Sequence, residues 1–299
     1  MAILAMRLSF TKYEGLGNDV LVFDVPPGRL GLTRGAMTRF IRAAAHRNLG
    51  IGADEIAFVS ADRRGRTVAR IVFYNADGSR ARMCGNGMRC VALHVFELGL
   101  TGGKRAFRLG TDAGPRLCRI LASAREGAAR VSVEMGTARP LRAAAKLLED
   151  TTITAGGDRL RAVTVSMGNP HVVTFGRRRR EDMRRIGIAL QRSRRFPGGV
   201  NVGFAVPRGR SRIDLVVWER GCGFTMACGS GACAAAAAGA RLGLAAFDRP
   251  LHVRLPGGTL DITVFRDFSV LMTGPARRVF RGTLDDHRRP AVSLRMKLS

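Results

Sequence analysis

One short pattern, Cys-Gly-polar-Gly, occurs twice in the 299-residue chain and constrains the fold more than any other feature. The copies are Cys84-Gly85-Asn86-Gly87 and Cys228-Gly229-Ser230-Gly231. A β-like apolar run precedes each (residues 69–74 and 213–218), and a helix-like run follows each (88–98 and 232–242). Both helical runs stop at a Leu-Gly step, Gly99 and Gly243, where glycine suits the left-handed end of a helix. Strand, glycine loop, helix and glycine stop are thus read out twice. The expected fold is α/β (α+β), with two pseudo-symmetric lobes from a duplication.

The physics of the repeated unit is specific. Glycines allow the backbone to approach a ligand closely. The first amides of the following helix lack intrahelical partners and carry partial positive charge, so they suit a carboxylate or phosphate. A cysteine at that terminus is expected to have its thiolate favoured and its pKa lowered toward neutrality. Two such units predict two titratable thiols and two anion cradles around one small ligand, in a cleft between the lobes. Cys84/Cys90 and Cys228/Cys233 lack the CxxC spacing of a zinc site. No Walker A motif, Rossmann GxGxxG unit or metal-ligand cluster appears, so neither metal nor cofactor is expected.

The rest of the chain fits two halves of the same order. Thr33 reads as the N-cap of a helix to about Ala45, with Met37, Phe40, Ile41 and Ala44 on one face. In the second half, a strand at 163–167 leads to the turn Gly168-Asn169-Pro170-His171, and a helix is expected over 181–191. The N-terminal lobe is placed at 1–135, rejoined by 274–284, and the C-terminal lobe at 136–273, with 285–299 a loose basic tail. Residues 1–6 are too short for a signal-peptide core, and Met6 reads as an alternative start.

Apolar content of 46% is enough for real cores, and no 18-residue apolar span is present, so no membrane partner is expected. Six irregularly placed cysteines fit a reducing, cytoplasmic setting. The net charge of +27 raises nucleic acid as a partner. Against this, only Lys12, Lys104, Lys146 and Lys297 are lysine; the other basic residues are arginines spread along the chain, and aromatic content is 6%. No stacking platform is visible, so no specific nucleic-acid binding is expected. The densest basic run, 177–180 with Arg184 and Arg185, reads as a solvated face.

Two thiols on opposite sides of a carbon can remove a proton from one face and return one to the other, which inverts a stereocentre. Cysteine fits because its pKa can be tuned toward neutrality. The two helix N-termini would stabilise the negative charge that develops on an amino acid carboxylate.

The motifs 75–79 (Asn-Ala-Asp-Gly-Ser), 83–90 (around Cys84), Gly168-Asn169-Pro170-His171, Glu219-Arg220-Gly221 and 227–233 (around Cys228) together resemble the diaminopimelate epimerase family, as does Gly15-Leu16-Gly17-Asn18-Asp19. The resemblance covers about residues 6–284. It implies two lobes, each a β-barrel-like sheet around a central helix. It implies a pyridoxal-phosphate-independent isomerase interconverting LL- and meso-diaminopimelate, for lysine and peptidoglycan, as a homodimer. Cys84 and Cys228 would be the acid/base pair, with His171 and Glu219 flanking the thiols. Asn18, Asn75, Asn169, Asn201, Glu219 and Arg220 would hold substrate, with backbone amides at Gly85, Asn86, Gly229 and Ser230. Glu55 stands where some members have Gln; a carboxylate there would repel the substrate or pair with its distal ammonium. The alternative is a two-thiol racemase or epimerase of another amino acid on the same fold.

Overall fold

The computed structural model describes residues 7–62, 65–125, 127–142, 145–285 and 294–295. The chain divides into two compact units, Met1–Val131 with Pro275–Ser299, and Ser132–Gly274. The proposed Met6 start lies outside the described residues. So does most of the C-terminal tail, of which Leu294–Arg295 pairs antiparallel with Thr283 and Leu284.

The first unit contains β1 (Arg7–Gly15), β2 (Asn18–Phe23), α1 (Arg34–Ala45), β3 (Glu55–Ala61), β4 (Ala69–Asn75), β5 (Arg80–Ala81), α2 (Gly85–Glu97), β6 (Ala106–Thr111), β7 (Gly114–Arg125) and the start of β8 (Ala128–Thr137). The second continues through β9 (Glu149–Ala155), β10 (Asp158–Ser166), β11 (Pro170–Phe175), α3 (Arg180–Gln191), β12 (Asn201–Pro207), β13 (Arg212–Glu219), β14 (Gly223–Phe224), α4 (Gly229–Arg241), β15 (Pro250–Leu255), β16 (Gly258–Val264) and β17 (Ser269–Asp285). The chain crosses between units within β8 and again within β17.

Strand pairing repeats step for step. In the first unit β1–β2 is antiparallel, β2–β3 parallel, β3–β4 antiparallel, β4–β6 parallel and β6–β7 antiparallel. The second unit has the same senses for β10–β11, β11–β12, β12–β13, β13–β15 and β15–β16. Residues 277–285 of β17 lie along β1, and β8 pairs with β17, which closes the first sheet. The hairpin strand β9 pairs antiparallel with β10 on the side away from β11.

Each sheet wraps one buried helix. Every residue of α2 from Gly85 to Val95 is buried, and α2 packs on β1, β2, β3 and β7. In α4 the run from Ala232 to Ala240 is buried against β10, β11, β12, β13, β15 and β16. A helix apolar on all sides belongs inside a core. The alanine run of α4 also keeps that helix slim enough to be enclosed. By contrast α1 and α3 are amphipathic and cover the outside. Thr33 Oγ1 accepts the Ala36 amide, and α1 buries Met37, Ile41, Ala44 and Ala45, with Phe40 packed alongside. Gly99 and Gly243, at φ 71° and 72°, take the left-handed conformation expected after α2 and α4.

The helices start earlier than the periodicity suggests. Gly85 and Gly229, rather than residues 88 and 232, open them, so the glycines form the first turns and not a preceding loop. The basic run at 177–180 is partly occupied: Arg178 approaches Asp158 at 4.0 Å, and the Arg180 guanidinium stacks 4.1 Å from the Phe224 ring centre. Among the described residues, no helix is long and apolar enough to cross a membrane.

Candidate active site

Each unit builds one thiol-capped helix N-terminus, and the two are constructed alike. Cys84 is the N-cap of α2, in extended conformation, and its Sγ accepts the Gly87 amide at 3.3 Å. Cys228 caps α4 the same way, accepting the Gly231 amide at 3.4 Å. A sulfur thus occupies the place usually held by a Ser, Thr, Asp or Asn oxygen. The cap holds each sulfur beside the amides of the first turn.

Around Cys84, the neighbours come from β2, β3, β4 and α2. Glu55, the first residue of β3, pairs across the sheet with Asn75, the last residue of β4, and lies beside Val20 of β2. The Cys84 thiol donates a hydrogen bond to the Glu55 carboxylate. Asn75 donates to the Ser79 hydroxyl at 2.8 Å, inside a turn whose Gly78 has φ 84°. Asn86 is buried; its Oδ1 accepts from the fully buried Arg89 at 3.0 Å, and Arg89 Nε donates to the Pro275 carbonyl at 3.0 Å. Asn18 donates to Asp54 at 3.2 Å.

A carboxylate latch missing from the sequence expectations holds Asn18 and Glu55 in place. The Asp54 amide donates to Asp19 Oδ1 at 2.8 Å, and the Asp19 amide donates to Asp54 Oδ2 at 3.1 Å. Arg47 forks Asp19 at 3.0 and 3.1 Å and reaches Asp54 at 2.6 Å, while Lys12 meets Asp19 at 2.9 Å. Burial alone would raise the Asp19 pKa, but hydrogen bonds from Arg47 and Lys12 outweigh it and hold it at about 2. Asp54 is pushed up, by burial first and then by the charge of Asp19. The two Asp residues, each next to a candidate site residue at 18 and 55, were the available signal.

Around Cys228, His171 of β11 is fully buried and bonds Asn169 Oδ1 through Nε2 at 3.0 Å. Asn169 donates to the Ser230 hydroxyl at 3.2 Å, and that hydroxyl lies 3.7 Å from Cys228 Sγ. Asn201 donates to the Pro170 carbonyl at 3.1 Å and accepts the Arg220 amide at 2.9 Å. Glu219 hydrogen-bonds the Cys228 thiol and takes a 2.5 Å bond from Thr225. The Arg220 side chain is exposed and donates to the Gly198 carbonyl at 3.0 Å. Asn169, His171, Asn201, Glu219, Arg220, Cys228, Gly229 and Ser230 therefore form one linked cluster, and Asn18, Glu55, Asn75, Cys84, Gly85 and Asn86 cluster in the first unit.

The electrostatics reverse one expectation. Both thiols are pushed well above the ordinary cysteine value instead of toward neutrality. Burial is the main cause, and the carboxylate of Glu55 or Glu219 adds to it; the helix amides pull the other way and lose. His171 is pulled down to about 3 by burial and by the nearby Arg220 charge, so its ring is neutral across the working range. It acts there as a hydrogen-bonding group, not as a charged acid.

The chain matches the family model described as diaminopimelate epimerase over residues 10–141 and 163–279, which take in both cysteine motifs. The chain belongs to the diaminopimelate epimerase family. Curated relatives under that same description include those from Xanthomonas axonopodis pv. citri (40% identical; 92% of this chain, 96% of the relative) and Moorella thermoacetica (39%; 92% and 98%). Another, from Acidovorax ebreus, is 38% identical over 94% of this chain and 98% of its own. Solved structures of the same fold include a predicted epimerase from Pseudomonas aeruginosa (TM-score 0.69, 19% identical; 92% of this chain, 98% of that one). A hydroxyproline epimerase from Agrobacterium vitis aligns with TM-score 0.67 at 15% identity, over 94% and 92%. The family's fold is the mixed α/β architecture of strands closed around a helix expected from the motifs.

Proposed function

We infer that the protein is an isomerase that interconverts LL- and meso-diaminopimelate by proton transfer between two cysteines, without a cofactor, in the biosynthesis of lysine. The observation that carries this reading is the matched pair of thiol-capped helix N-termini, each with its own glutamate, in a chain of this family.

In the forward step, one cysteine thiolate takes the α-proton, forming S–H as the Cα–H bond breaks. The electron pair moves into the α-carboxylate, and the other thiol gives its proton to the opposite face of Cα. The reaction requires the two thiols to reach opposite faces of one carbon. A developing carboxylate dianion is favoured beside the first amides of α2 and α4, at Gly85, Asn86, Gly229 and Ser230. The elevated thiols have a counterpart in the substrate: an α-ammonium brought beside them favours the thiolate, so ionisation is coupled to binding. Neutral His171, Asn169 and Ser230 fix the hydrogen bonds around Cys228. Asn18, Asn75, Asn201 and Arg220 supply polar contacts for a second amino-acid head, and a guanidinium can fork its carboxylate.

The reading extends to a cytoplasmic homodimer on the family resemblance, with molar mass from light scattering as its check. The central test is incubation of LL-diaminopimelate with the protein in heavy water. Epimerisation with one solvent deuterium at the inverted α-carbon supports the proposal. Turnover of lysine or proline comparable with that of diaminopimelate would favour a different amino acid substrate, and no exchange on any of them would sink the two-thiol mechanism.

A further inference from the structure

The two units repeat the same strand pairings, yet the glutamate beside each thiol comes from a different strand. In the first unit Glu55 opens β3 and Asn75 closes β4, directly opposite each other. In the second, the equivalent strands are β12 and β13. Asn201 opens β12 and Glu219 closes β13, and the Val202–Trp218 register sets these two opposite each other as well. The Asn–Glu cross-strand pair is thus present twice with its members exchanged. The third position of the row differs: Val20 lies beside Glu55, and His171 beside Asn201.

In the first unit the carboxylate arrives at the first turn of the helix, whereas an added Cβ at Gly231, the equivalent position of α4, would first meet Val217 and Cys228. A Cβ on Gly87, in the first turn of α2, would stand 2.9 Å from Glu55 Oε2, which puts that oxygen on the turn that Cys84 caps. Cys84 Sγ accepts the Gly87 amide and its thiol donates to Glu55. Cys228 accepts the Gly231 amide and is bonded by Glu219. A position that the sequence suggests as a substrate contact is therefore directed at a thiol.

We propose that Glu55 is a positioning residue that keeps the catalytic proton on Cys84, the counterpart of Glu219 at Cys228. The carboxylate accepts the S–H bond, which orients the proton, and its charge opposes a second negative charge on sulfur. With Cys228 as the thiolate base, Cys84 then enters the reaction as a held proton donor. Having given that proton to Cα, it is the base for the reverse direction. This rests on the two-thiol reading, but the assignment of Glu55 is a statement about Cys84 in the ligand-free protein.

The other ionisable groups near this turn are Arg89 and Cys90 of α2, Asp19 of β2, Glu14 of β1 and Asp54 ahead of β3. Arg89, Glu14 and Asp19, together with Glu55, act on Cys90. At Cys84 the charged side chain with the largest effect is Glu55.

The test is alkylation of the ligand-free protein with iodoacetamide across pH, with each cysteine followed by peptide mass spectrometry. Cys84 is half-buried, the more exposed of the two thiol residues. Removal of the carboxylate charge in Glu55→Gln lowers the energy of the thiolate. Cys84 alkylation then moves to lower pH by about one unit or more, which at fixed pH below the transition is about tenfold faster. Cys228 alkylation stays where it was, and Glu55→Asp retains most of the wild-type Cys84 profile. A Cys84 profile in Glu55→Gln that superimposes on wild type overturns the assignment, and so does an equal shift at both cysteines. Since no turnover is read, failure of this assignment is separate from failure of the epimerase reading. With active protein, the acid limb of the kcat/KM profile of Glu55→Gln moves the same way, whereas a residue that merely contacts substrate raises KM without moving the alkylation curve.

Discussion

Gly87→Ala tests how tightly the first turn of α2 is built. The added Cβ would stand 2.7 Å from Cε1 of Phe73, 2.9 Å from Oε2 of Glu55 and 3.4 Å from Cβ of Cys84. Phe73 is a buried residue of β4, so it has little room to retreat. Overpacking of this kind costs about 1–3 kcal/mol. Replacing a helical glycine returns about 0.5–1 kcal/mol, because the unfolded chain loses freedom. The balance is a loss of roughly 0–2.5 kcal/mol. Relief of the contact displaces Glu55 or the turn itself, and a displacement of about 1 Å at a reacting group lowers turnover about 100-fold. Gly35→Ala on α1 is the control: its nearest neighbour would be Arg39 Nη1 at 3.7 Å, so it is expected to stabilise by about 0.5–1 kcal/mol with activity intact. Urea unfolding and initial epimerisation rates measure both variants. The packing argument fails if Gly87→Ala gains stability as Gly35→Ala does and keeps its turnover.

Three further outcomes are expected. Cys84→Ala and Cys228→Ala each abolish epimerisation, and a mild oxidant inactivates wild type reversibly whereas Cys222→Ser gives no protection; near-normal turnover in either alanine variant contradicts the two-base scheme. Stability falls on acidification in two stages that pH-dependent urea unfolding resolves. His171, held down at about 3, stays neutral in the folded protein while the unfolded chain takes up its proton, so stability declines from about pH 6.5 toward 3. Asp19, held at about 2, adds about 2 kcal/mol above its unfolded pKa that disappears between about pH 4 and 2, offset in part by the raised Asp54; Asp19→Asn removes this second stage, and an unchanged acid profile in that variant refutes the latch. Arg220→Lys keeps charge but not a planar fork, so KM for diaminopimelate rises about tenfold or more, and an unchanged KM removes Arg220 from the substrate's distal carboxylate.

The parts of this protein legible in the sequence are those set by local chemistry. The caps of α2 and α4, the left-handed glycines after them, the Thr33 cap and the apolar stripe of α1 all follow from interactions within one or two turns. The doubled Cys-Gly-polar-Gly pattern carried the duplication and the two thiols for the same reason. Tertiary structure decided what depends on partners far along the chain. Whether a thiol is raised or lowered hangs on the balance between helix amides three residues away and the burial and carboxylates that β3 and β13 bring in. Periodicity read the helices as starting three residues late, because glycines score as breakers until a surrounding sheet excludes water from their backbone. The Asp19–Arg47 and Asp19–Asp54 contacts and the exchanged Asn–Glu pairs join residues 18 to 35 positions apart, and only the tertiary fold makes them neighbours. Local sequence sets where the thiols sit on their helices; the register of the strands around them sets which group holds each proton.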